Sequence, residues 1–370
     1  MTTSSRWEEF KISMQPRIKE WKFMLRRMRE SPLSIAGIAI IVGFIIIAFL
    51  APVLAPPTNS DPFIIPSDDE ISKLDPTPIP PSTKHLFGTT GIQQYDIYYA
   101  CIWGTITAFR VGITTVAISL IIGLTVGVAA AYYGGMADEV LMRFTDIIIA
   151  FPGLILAMAL VIAIPSTFSL NISLILTVIL GLTVLFMFLK RVNIKITAPL
   201  LIIFIVTLAS LFNPINLDFN ITRLDKVLIA LWLIGWPSYA RVIRGEVLRV
   251  KNEDFVEAAK AAGASDLRIV MKHLLPNSIY PVLIMASLDT GSIVLTAAAL
   301  SFLGLGAPTN YADWGQIIQR SQTWIYAGGN LVRNMHVFLI PGIFIFVFVL
   351  GWNLLGDAFR DVLDPTLRRR

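Results

Sequence analysis

The sequence predicts an all-α membrane protein, a polytopic bundle of about eight transmembrane helices. Three observations predict it: charge is scarce, apolar tracts of spanning length recur, and basic residues gather beside alternate tracts. Of the 370 residues, 55% are hydrophobic and 15% charged, with a mean hydropathy of +0.71. Soluble domains carry about 25% charged residues, so in water this chain would expose mostly apolar surface. Lipid is the solvent that such a composition requires.

A hydrocarbon core of about 30 Å takes roughly 20 apolar residues of helix. The tracts at residues 33–54, 111–133, 147–164, 227–239, 279–305 and 337–355 meet that need. The fourth is short and has to continue past Arg241, and the fifth contains one carboxylate, Asp289. Two shorter charge-free tracts, 172–189 and 198–212, complete the set. The 24 glycines suit closely packed helices. A membrane β-barrel would show alternating segments of about ten residues, and none is present. The single cysteine, Cys101, excludes an internal disulfide and a CxxC metal site, and reads as a small packing residue. His85, His273 and His336 have no ligand spacing. The net charge of +5 does not point to nucleic acid, because the basic residues sit beside the spans.

Those basic residues set the topology. Residues 1–30 hold Arg6, Lys11, Arg17, Lys19, Lys22, Arg26, Arg27 and Arg29, which places this end in the cytoplasm. Residues 31–54 then read as a retained first helix, a cleaved signal being the alternative. Residues 55–104 are rich in proline and acid and read as an extracytoplasmic loop. Residues 105–365 form the remaining transmembrane domain. Its basic turns at Lys190–Lys195, Arg241–Lys272 and Arg360–Arg370 fall on the cytoplasmic side, so both termini are cytoplasmic in a multi-pass protein of the cell membrane. Arg110, Arg223, Arg320 and Arg333 fall on the other side.

The longest internal polar segment on the cytoplasmic side is 246–276, EVLRVKNEDFVEAAKAAGASDLRIVMKHLLP. Asn252 is placed to cap a helix, with Glu253 and Asp254 in its first turn. Phe255, Val256, Ala259 and Ala262 form an apolar stripe at helical spacing, and Gly263 ends the helix. Ser265 or Asp266 caps a second helix, and Pro276 opens the next span. Periodicity alone allows two readings, a compact docking knob or an amphipathic interfacial helix with no partner.

Glu257-Ala258-Ala259, Gly263 and Leu274-Leu275-Pro276 resemble the EAA loop of ABC importer permeases. The flanks fit the dipeptide/oligopeptide branch of that family: Gly235 to Arg241, Tyr132 to Gly135, Asp138 to Arg143, Ala150-Phe151-Pro152, Ala298 to Gly306, Trp314-Gly315, Asn353 to Asp357 and Leu363-Asp364-Pro365. The resemblance implies a MetI-like core of about six helices that pairs with a homologous second permease. It further implies two ABC ATPase subunits, which bind the ATP and Mg, and an extracytoplasmic solute-binding protein that delivers peptide. Glu257, Ala258, Ala259, Gly263, Leu275 and Pro276 are then the ATPase-docking residues. The chain has no GxxxxGK[ST] loop of its own, so it cannot cradle ATP phosphates in the usual way; the resemblance implies a transport subunit with no catalytic residues, not an enzyme, with ATP hydrolysed by another polypeptide.

The sequence departs from the family at three places. Residues 165–226 are an insertion read as two extra helices, Thr90 to Asp96 replace the usual acidic pattern after Gly88-Thr89, and Ala297 stands where relatives carry a glutamate. Asp289 is the candidate for the substrate path, since intramembrane carboxylates are costly and face cavities; a bond to a neighbouring helix through Thr290 or Ser292 is the other reading. Some family members carry oligosaccharides or nickel complexes instead of peptides. An ion-coupled transporter would need polar residues clustered in broken helices, and few stand beyond Asp289.

Overall fold

The computed structural model describes residues 31–67, 77–171, 194–209, 216–326 and 331–363, together with 173, 174, 177, 178, 180, 181 and 183. The basic segment 1–30, most of the expected 172–189 helix and the Asp364-Pro365 end lie outside the described residues. The chain divides into two compact units, Met1–Val161 with Val227–Arg370, and Ile162–Lys226.

In the larger unit, α1 (Pro32–Leu54) starts where Ser31 accepts a hydrogen bond from the Ser34 amide at 3.4 Å and Pro32 takes the first turn. Helix α2 (Ile97–Tyr133) is 37 residues long. At about 1.5 Å per residue it outruns a bilayer core of about 30 Å, so it extends well beyond the membrane. Asp96 caps it, accepting from the Tyr99 amide at 2.9 Å. The expected outer loop therefore ends at Asp96 rather than at 104, because a good N-cap starts the helix ahead of the apolar tract.

The third expected span is broken. Helices α3 (Gly135–Ala150) and α4 (Gly153–Ala163) meet at 94°. Phe151 sits in extended backbone at φ −85°, ψ 139°, as a residue before proline prefers, and Pro152 has no amide to continue the ladder.

Helix α6 (Arg223–Val250) leads through α7 (Asp254–Ala261), α8 (Asp266–Ile269), a π-helical turn at Val270–Leu274 and α9 (Leu275–Ser278) into α10 (Tyr280–Phe302). Helices α11 (Trp314–Tyr326), α12 (Leu331–Asn334) and α13 (His336–Leu363) complete the unit. Helix α13 packs on α1 and α10, and α10 also packs on α2. At the centre Phe44, Phe109 and Trp314 surround Phe348, with Phe44 and Phe109 edge-on at ring separations of 5.2 and 5.1 Å.

The proline-rich segment between α1 and α2 is pinned rather than loose. Trp103 Nε1 donates to Ala55 O at 2.9 Å, Tyr99 Oη donates to Pro62 O at 2.7 Å, and Phe63 stacks on Tyr311. The unusual segment after Gly88 forms a tight turn with Ile92 at φ 56° and Gln94 at φ 51°. Gln94 is buried and donates to Thr77 O at 2.7 Å.

The smaller unit holds β1 (Thr167–Asn171) and β2 (Asn216–Asn220), an antiparallel ribbon that pairs Thr167 with Asn220 and Asn171 with Asn216, and α5 (Ile194–Ala209) between them. The ribbon was not expected from the sequence. Among the described residues, five helices are long and apolar enough to cross a membrane, or six if the α3–α4 pair counts as one. The expected eight is not reached among them: α5 has only 16 residues and its apolar stretch is Pro199–Leu208.

Candidate functional site

The EAA segment is a two-helix projection with one face built into the core. Val256 of α7, Ile269 of α8 and Leu274 of the π-turn are fully buried and join Val128, Tyr239, Ile243, Val247, Val250 and Val282 in one cluster. That cluster runs from the projection into α2, α6 and α10. The opposite face carries Glu257, Ala258, Ala262 and Gly263, all exposed; Ala259 and Leu275 are half-buried, and Pro276 is exposed. Phe255 belongs to the exposed side, which narrows the expected apolar stripe to Val256 and Ala259.

Local capping differs from expectation in two places. Glu253, not Asn252, is the residue before α7; the Asn252 side chain instead donates back to Leu248 O at 3.4 Å. Pro276 occupies the first turn of the short α9, and Pro281 that of the long α10 which follows it. Gly263 does end α7. Its φ of +76° is reached at low cost only without a Cβ, and its amide donates to Lys260 O at 2.9 Å.

Polar contacts that sequence reading did not anticipate tie the projection to the helices. Lys251 Nζ donates to Ala131 O at 3.1 Å and Tyr132 O at 2.6 Å, satisfying carbonyls left open at the end of α2. Tyr132 Oη donates to Asp266 Oδ1 at 2.7 Å, holding the start of α8. Arg244 of α6 clasps Asp138 of α3 with two bonds of 2.5 Å, and Arg241 meets Asp146 at 2.6 Å. Part of the signal, Tyr132 and Asp138, was present in the Tyr132 to Arg143 motif, but residues 95 to 134 positions apart cannot be paired from spacing alone. Helices α2 and α6 touch backbone to backbone at Gly123, where a Cβ would stand 2.5 Å from Tyr239 Cβ, and at Gly127, where it would strike Ala240 O.

Asp289 lies apart from the projection, half-buried on α10, in the wall of a cavity of about 390 Å³. Thr290 Oγ1 donates to Ala286 O and Ser292 Oγ to Asp289 O, each at 3.0 Å, so neither hydroxyl bridges to another helix. Among the described residues no three His, Cys, Asp or Glu side chains gather as a metal site would need.

Among the described residues the chain is a multi-pass helical membrane protein with a short two-helix projection rooted in its core. Two family profiles match: the binding-protein-dependent transport system inner membrane component over residues 123–369, and the N-terminal TM domain of oligopeptide transport permease C over residues 19–76. The chain is 30% identical to the dipeptide transport system permease protein DppC of Alkalihalophilus pseudofirmus, covering 95% of this chain and 91% of that protein. It is 29% identical to the glutathione transport system permease protein GsiD of Pectobacterium atrosepticum, covering 94% and 92%. A chain of the MetNI methionine ABC transporter in an inward-facing form is similar at a TM-score of 0.43 and 18% identity, over 70% of this chain and 96% of that one.

The chain belongs to the binding-protein-dependent transport system inner membrane component family, in its dipeptide/oligopeptide branch. It is a permease subunit of an ABC importer, an inner-membrane transport component and not itself an enzyme. ATPase and binding-protein subunits are its partners in kind.

Proposed function

We propose that this permease imports peptides by alternating access, and that residues 246–276 form the cytoplasmic foot through which separate ATPase subunits drive it. The relatives are permeases of dipeptide and glutathione systems, which supports peptide as the substrate class. In this reading both termini are cytoplasmic, one homologous permease completes the pore, two ABC ATPase subunits hold ATP and Mg, and an extracytoplasmic binding protein delivers the peptide.

One observation carries it: the projection is split between an exposed face at Glu257, Ala258 and Gly263 and a fully buried face at Val256, Ile269 and Leu274. Small side chains on the exposed face let a partner groove approach closely. The buried face is continuous with Tyr239 and Ile243 on α6 and Val282 on α10, so a force on the foot is passed to those helices through close-packed side chains. ATP-driven closure of the two ATPase subunits then moves the feet together and turns the cavity from inward to outward.

The test is Ala258→Arg and Gly263→Arg in the assembled importer. Membrane insertion stays normal, while peptide-stimulated ATP hydrolysis falls at least tenfold. Wild-type stimulation in both variants refutes the docking assignment.

A further inference from the structure

The Asp289 cavity carries chemistry that the docking foot does not use. Its volume of about 390 Å³ is of the size that small-molecule sites occupy. Thr115 of α2, Ser238 of α6, and Asp289, Ser292 and Thr296 of α10 supply its polar wall. Asp289 is the one charged residue in that wall among the described residues.

One further group there is buried without a hydrogen bond. Thr115 is 1% exposed and its Oγ1 is unpartnered among the described residues. Tyr239 of α6 is fully buried behind that wall, and its hydroxyl is directed at the Asp289 carboxylate as a donor. A carboxylate in a low-dielectric wall is costly unless a cation meets it. The wall itself provides no cation. A primary ammonium has three donors, which suits one carboxylate and two hydroxyl acceptors.

We propose that Asp289 anchors the protonated primary amine of the transported peptide in this cavity, with the Thr115 and Ser238 hydroxyls of the same wall as the further acceptors. The source of the amine rests on the peptide-importer reading; the cation preference of the cavity does not.

The experiment uses the assembled importer in proteoliposomes, with Ser292→Cys as a reporter in a Cys101→Ser background and Thr296→Cys as a second reporter. The thiol is modified with trimethylammonium-ethyl or sulfonato-ethyl methanethiosulfonate. The cation-to-anion rate ratio falls at least tenfold on Asp289→Asn. Tri-alanine with a free amine slows modification, and N-acetyl-tri-alanine does not. An unchanged ratio at both reporters, equal protection by the two peptides, or equal protection by sodium chloride at the same concentration overturns the assignment. Modification needs no ATP, so this failure is distinct from failure of the foot in Ala258→Arg.

Discussion

Val256→Ala tests whether the foot is rooted as a rigid lever. Helix α7 has only eight residues, far too few to be stable alone in water, so its order is borrowed from what it packs on. Val256 is 0% exposed and packs in the cluster of Val250, Ile269 and Leu274. Removing its two methyl groups forfeits about 0.8 kcal/mol each in transfer energy, and the cavity left behind brings the total to about 2 kcal/mol. At about 1.4 kcal/mol per tenfold, local opening of α7 becomes about 30-fold more frequent. Hydrogen exchange reads this directly at the amides of Ala262 and Gly263, which bond to Ala258 O and Lys260 O. Those amides are expected to exchange about 30-fold faster while the middle of α10 is unchanged, and peptide-stimulated ATPase falls in parallel. Unchanged protection in α7, or an equal rise throughout α10, would refute the lever.

Three further outcomes follow from the same geometry. Lys251→Met leaves the carbonyls of Ala131 and Tyr132 without their donor, and exchange at the end of α2 is expected to rise by the equivalent of about 1–2 kcal/mol after allowing for partial solvent screening; thermal melting of the purified permease checks the same loss. Gly127→Leu drives a side chain into Ala240 O and separates α2 from α6, so the variant is expected to express poorly or to melt well below wild type. Burial pushes the Asp313 carboxyl above the ordinary carboxylate range, partly offset by the amide of Gln316, which donates to it at 2.8 Å. A raised folded-state value means that stability is lost as pH climbs through that window. Asp313→Asn keeps a capping oxygen and is expected to melt higher than wild type at neutral pH, the gain vanishing in acid.

Features written in consecutive residues were legible without coordinates. A tract of about 20 apolar residues has one stable way to sit in lipid, so α1, α10 and α13 could be placed from composition. Gly263 could be read as a helix stop because its backbone freedom is local, and Glu257, Ala258 and Ala259 followed from a contiguous motif. Even there, neighbours were misjudged: the Asn252 cap and the Pro276 start of the long helix were equally good by local rules, and the chain instead uses Glu253 and Pro281.

Only the tertiary structure decided what depends on distant partners. The ribbon of Thr167–Asn171 with Asn216–Asn220 forms because two polar segments meet across an apolar insertion, and neither strand has a local signal strong enough to announce it. Tyr132 and Asp266 are 134 positions apart, and Arg244 and Asp138 are 106; charge and polarity name the candidates, but the helix packing at Gly123 and Gly127 selects the pairs. Asp289 was visible as an oddity in an apolar run. That its wall includes an unpartnered Thr115 from another helix is a property of three-dimensional packing, which no one-dimensional pattern contains.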